Sequence, residues 1–144
     1  MKSTIFIIVL LFLINSGKAQ TDTTQQFKIG DHYGGGIIFS IDPTGQHGLI
    51  AAPSVQATNV KWSSISILTN ARFIDDGLEN TKIILESMKE WSRDPKTATF
   101  VCDNLTIEEF SDWYLPSVQE LIKMHVSQES IGNFLSGYYW SSTE

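Results

Sequence analysis

Ser111-Asp112-Trp113-Tyr114-Leu115-Pro116-Ser117-Val118-Gln119-Glu120-Leu121 has the clearest local grammar in the chain. Ser117 to Glu120 is an S-x-x-E capping box. The serine hydroxyl can accept the N–H three residues on, and the glutamate can reach back to the serine N–H. Leu121, Ile122 and Met124 follow as the apolar positions of the helix it starts. Two helices are expected upstream. Leu78 to Trp91 puts Leu78, Ile84, Leu85, Met88 and Trp91 on one stripe, with charges over much of the rest, and Asp94-Pro95 ends it. Ala98 to Leu105 puts Ala98, Val101, Cys102 and Leu105 on one side.

Strands lie on either side of the helices. Gly34-Gly35-Gly36 leads into Ile37–Ile41, Asp42-Pro43-Thr44-Gly45 suits a type I turn, and His47–Ala52 is the return strand of a hairpin. The three glycines carry no G-x-G-x-x-G or G-K-[ST] frame, so they are read as structural rather than phosphate-binding. Residues 53–77 are irregular, with Trp62 in KWSS and a turn at Asp75-Asp76-Gly77. Tyr138 to Ser142 is expected to be a final strand. Strands first, helices in the middle and a strand at the end describe an α+β domain.

The 144 residues are 42% apolar and 18% charged, which suits one globular domain and no coiled coil, collagen repeat or disordered tail. Ten basic against 16 acidic residues give a charge of −6, which argues against a nucleic-acid partner. A single Cys allows no internal disulfide and no zinc cluster. Lys2, the apolar run Ile5–Ile14, and the small residues Gly17 and Ala19 form a secretory signal peptide, residues 1–19, cut after Ala19. The apolar run is about 15 Å long as a helix, half a bilayer core, so no membrane span is expected after cleavage. Residues 20–28 are a flexible lead-in and 29–144 the domain. Without Lys2 and Lys18, 8 basic residues face 16 acidic ones, a charge of −8. The expected location is secreted, periplasmic or on a bacterial cell surface.

Candidate chemistry is sparse. His32, His47 and His125 are far apart and in no metal-ligand spacing. Cys102 faces the apolar side of its helix and is read as packing. Asp75, Asp76 and Glu79 are the densest acidic group. Without an EF-hand frame they are read as acids at a helix N-terminus. Asn104-Leu105-Thr106 fits the glycosylation acceptor pattern, which has meaning only in a host that glycosylates. Trp113, Tyr114, Tyr138, Tyr139 and Trp140 are core filling, with one or two available to stack on a ligand. No catalytic residue, metal site or cofactor is expected, and no individual binding residue is assigned.

YGGGIIFSID, HGLIAAP, GLENT, CDNL, SDWYLPSVQEL, IGNF and SGYYWSSTE occur in that order. This run, from about Ile29 to Glu144, resembles the C-terminal domain of the Legionella collagen-like adhesin, the Lcl C-terminal domain. The resemblance implies a C-type lectin-like fold: a twisted antiparallel sheet with two or three helices. It also implies that further strands follow the WSSTE motif in related members, so that this copy is incomplete at its C-terminus. By motif, Asp112 and Trp113 fix the loop before the capped helix, and Leu115 and Pro116 set the approach to it. Ser117 and Glu120 form the cap, and Trp140 lies in the core. The chain has no E-P-N, Q-P-D or W-N-D tripeptide, so calcium-mediated sugar binding is not expected. It lacks the cysteine pair of the formylglycine-generating enzymes. The family adhesin is associated with sulfated polysaccharides, but a charge of −8 offers a polyanion no general attraction. The expected function is a non-enzymatic binding or adhesion module for a surface carbohydrate or protein. The alternative is a structural envelope module with no small ligand.

Overall fold

The sheet grows from the turn at Asp42. Gly45 N–H donates to Asp42 O at 3.0 Å, closing the turn. The Asp42 carboxylate accepts the Thr44 hydroxyl at 2.8 Å and the N–H groups of Gln46 and His47 at 3.2 and 3.3 Å. These bonds, the Thr44 hydroxyl first, hold the Asp42 carboxyl below its ordinary value. A computed structural model of the chain describes residues 26–89, 94–132 and 134–144, and the backbone alone of 3–5 and 8–9.

Two short strands come first, β1 (Ser3–Ile5) and β2 (Ile8–Val9). Then follow β3 (His32–Tyr33), β4 (Gly36–Ile41), β5 (Gly48–Ala51) and β6 (Ala57–Thr58). The helices are α1 (Gly77–Met88), α2 (Ala98–Asp103), α3 (Val118–Val126) and α4 (Gln128–Ile131), and β7 (Tyr138–Tyr139) is last. The fold is mixed α/β. The expected hairpin is β4–β5, with a bulge between Ile38 and Ser40. Strands β3, β4 and β5 form an antiparallel sheet, to which β2 adds antiparallel on the outer edge of β5. A second sheet has the order β6-β1-β7. At Gly36 a Cβ would stand 2.7 Å from Ala51 O and 3.1 Å from the Trp113 ring, so the strand can sit this close only without a side chain.

The main core joins Ile38, Phe39, Ile50, Trp113, Leu115 and Met124, and a smaller cluster joins Ala71, Ile84, Met88 and Phe100. Each large side chain that is fully withdrawn from water contributes about 1.5–3 kcal/mol. The helix positions differ in detail from the apolar stripes. α1 starts at Gly77 and ends at Met88, and Trp91 lies outside the described residues. Its inward face is Asn80, Thr81, Ile84 and Met88, while Leu78 is 43% exposed. On α3, Met124 is buried but Ile122 is 49% exposed. α2 stops at Asp103. It buries Cys102 as expected, and burial pushes the thiol's ionisation up.

The last strand is shorter than Tyr138–Ser142. Only Tyr138 and Tyr139 pair, because the backbone of the next residues bonds to loops rather than to a neighbouring strand. Trp140 is half-buried at the core's edge, not inside it. The expected cleavage after Ala19 and residues 20–25 of the lead-in lie outside the described residues. Among the described residues no helix is long and apolar enough to cross a membrane.

Candidate functional site

Two Trp-Ser-Ser triplets, at 62–64 and 140–142, cross each other in space. Trp62 Nε1 donates to Ser141 O at 2.8 Å, and Trp140 Nε1 donates to Val60 O at 3.0 Å. Each indole thus spends its only polar group on the backbone of the other segment. The rest of each ring remains half-buried.

The residues after Trp140 form a clasp. Ser142 is fully buried. Its N–H donates to Pro116 O at 2.7 Å, and its hydroxyl accepts from Asn80 Nδ2 at 3.4 Å. Thr143 Oγ1 donates to Phe73 O at 2.9 Å and accepts from Val118 N at 3.1 Å. Glu144 N–H donates to Ala71 O at 2.8 Å, while its carboxylate accepts the N–H groups of Thr69 and Asn70. Four distant stretches, around Val60, Ala71, Asn80 and Pro116, are therefore tied to one pentapeptide.

The SDWYLPS stretch supplies the floor under this clasp. Trp113 is buried and donates from Nε1 to Phe110 O at 3.1 Å, which pins the loop before α3. Asp112, expected to share that task, is exposed at the surface. Leu115 is bonded through its N–H to Thr81 Oγ1 at 3.1 Å. The capping box forms in full, with Glu120 N donating to Ser117 Oγ at 3.4 Å and Ser117 N to Glu120 Oε2 at 2.7 Å. Glu120 does more than cap. It is 3% exposed, and it also accepts Gly77 N–H at 3.1 Å and the Tyr114 hydroxyl at 2.9 Å. Burial first, and then the Glu120 charge, push the Tyr114 phenol far above its ordinary value.

Between the 62–67 stretch and the clasp lies a groove of about 480 Å³. Its walls include Trp62, Ser66, Tyr139, Trp140, Thr143 and Glu144. Tyr139 OH donates to Leu135 O at 2.7 Å, and burial raises its phenol. Among the described residues no Lys, Arg or His lines the groove. The Glu144 carboxylate is turned to backbone N–H groups of the 69–70 turn. The surface offered is aromatic and aliphatic, with Ile65 and Ile67 beside the rings and hydroxyls of Ser66 and Thr143 at the rim, a combination suited to stacking on an apolar face.

Other candidates separate. His32, His47 and His125 line three different cavities. Asp76 caps α1, accepting from Glu79 N at 2.9 Å, as the helix-terminus reading expects. Among the described residues no group of three or more His, Cys, Asp or Glu side chains is placed to hold a metal. Asn104 is exposed, and its amide donates to Phe100 O at 2.7 Å.

The motif residues from Trp113 to Glu120 are thus brought together, and Pro116 meets the Trp140 segment through Ser142. Trp62, Asn80, Thr81 and Glu144 were not assigned a role from sequence. For Trp62 a signal exists, since its Trp-Ser-Ser triplet repeats at the partner segment. Comparisons with protein families, with curated proteins and with solved structures return no match.

Proposed function

We propose that this chain is a secreted or cell-surface bacterial binding module of C-type lectin-like fold, which seats a neutral carbohydrate in the groove between Trp62 and Trp140. The observation that carries the reading is the crossed pair of indoles. Both N–H groups are committed inward, and the rings remain half-exposed along a hydroxyl-rimmed groove. Ring faces then meet the C–H face of a sugar, and the exposed Ser66 hydroxyl meets its hydroxyls.

Sulfated polysaccharide, which the family resemblance implies, fits this groove poorly. Among the described residues no cation lines it, and the chain is acidic. No catalytic role is assigned, and the chain's one thiol is buried with its ionisation pushed up. The lectin-like fold is supported by the order of the sequence motifs and by an antiparallel sheet flanked by helices.

The test is a glycan array probed with the secreted product. The reading expects neutral oligosaccharides among the hits, lost in Ser66→Tyr, which fills the groove from an exposed position. Hits confined to sulfated glycans, or a Ser66→Tyr profile equal to wild type, would contradict it.

A further inference from the structure

Residues 3–5 and 8–9 pair with the rest of the chain in three places. Ile8 stands opposite Ala51 and Val9 opposite Ile50, antiparallel, on the outer edge of β5. Thr4 stands opposite Thr58 and Ile5 opposite Ala57, again antiparallel. Ser3 and Thr4 run parallel beside Tyr138 and Tyr139. One segment thus supplies the outer strand of the larger sheet and the middle strand that joins β6 to β7.

The same residues belong to the leader, residues 1–19, read as cut after Ala19. Removing it would leave the β5 edge open, and would leave β6 and β7 without the strand that lies between them. A row of backbone N–H and C=O groups left in this way is a template for another strand.

We propose that the outer edge of β5 and the gap between β6 and β7 form one strand-accepting slot, which in the processed protein takes an extended aliphatic strand from another polypeptide. The proposal rests on removal of the leader, and the slot shares β7 with the groove, since Tyr139 belongs to both. The chemistry of the occupant follows from the register. In both antiparallel ladders an isoleucine stands opposite an alanine, Ile8 to Ala51 and Ile5 to Ala57. Ile50 and Ala51 are fully buried, so a charged residue there would lose its water without a partner. Proline at a paired position would remove a ladder donor. The occupant is therefore uncharged, rich in bulky aliphatics and free of proline.

Among the described residues of 27–144 no such strand is left unpaired. The lead-in, Thr21–Gln26, is TDTTQQ and has no aliphatic run. Gly36–Ile41 and Gly48–Ala51 are already in ladders, and Ile65 and Ile67 line the aromatic groove. This favours a different polypeptide over a second copy.

The test starts from the full chain expressed in a secreting host, with intact mass reading whether the leader is gone. The processed product is mixed with a peptide carrying the sequence of residues 3–9 between lysine pairs, and hydrogen exchange is followed. One peptide per chain should bind and slow exchange of residues 48–52 and 57–58 by about tenfold or more. The same peptide with Ile8→Pro should not. Unchanged exchange, or equal action of the proline peptide, overturns the slot. A dimeric product with these amides already protected would show that a second copy fills it, and would overturn the choice of occupant. A retained leader would also overturn the proposal, because residues 3–5 and 8–9 would then occupy both positions themselves.

Discussion

Glu144 Oε2 lies 3.0 Å from Thr69 N and 2.8 Å from Asn70 N, across more than seventy residues of chain. Asn70 has a positive φ of 61°, a conformation Asn adopts more readily than most residues, and the carboxylate spans the two successive N–H groups of that turn. Because Glu144 is exposed, the bonds are partly screened, and Glu144→Ala is expected to cost about 1 kcal/mol. Urea unfolding at constant slope measures it. An unchanged midpoint would mean that the clasp does not hold the 69–71 turn.

Gly77 sits where helix propensity favours alanine by about 1 kcal/mol. Here the sign reverses. A Cβ would fall inside contact distance of Glu120 Oε2 and would lie 2.7 Å from Ser117 N and 2.8 Å from Leu115 O. Gly77→Ala should therefore destabilise by about 2–3 kcal/mol, through overpacking and the weakened bond to Glu120. A stabilised Gly77→Ala variant would contradict the junction drawn between α1 and α3.

Tyr114 is held neutral by burial and by its bond to Glu120. Its folded value lies above the ordinary 10.0, so above that pH the unfolded chain binds fewer protons than the native one. The tyrosine's contribution is thus fully present below pH 10.0 and is lost as pH rises beyond it. Unfolding midpoints measured from pH 9 upward should fall more steeply for wild type than for Tyr114→Phe. Parallel profiles would show that Tyr114 ionises freely.

Thr99 is fully buried, and among the described residues its hydroxyl has no hydrogen-bond partner. Thr99→Val keeps the shape and removes the unpaired group, at little change in helix propensity. The variant should gain about 1 kcal/mol in thermal or urea unfolding. A loss would show that the hydroxyl finds a partner in solution.

These residues also show what could be read in advance. The Ser117–Glu120 box and the Asp42 turn are legible because donor and acceptor lie within a few positions of each other. The β4–β5 hairpin follows from that turn and from the apolar runs on either side of it. Asn80 and Thr81 were not legible as core. Their side chains are buried only because Phe73, Ser142 and Leu115, distant in sequence, complete their bonds. The same holds for Leu78, whose place on an apolar stripe did not bring it inside. Trp140 reads as core by composition. Its position at the groove's edge depends on Val60, eighty residues away.

Tryptophan fluorescence during titration of the secreted product with a neutral oligosaccharide found on the array tests the binding site most directly. Trp62 and Trp140 at the groove should give a saturable change in emission, and Ser66→Tyr should weaken the apparent affinity by about tenfold or more, ~1.4 kcal/mol. Equal affinity in wild type and Ser66→Tyr, or no saturable change with any neutral glycan, would contradict the assignment of the groove.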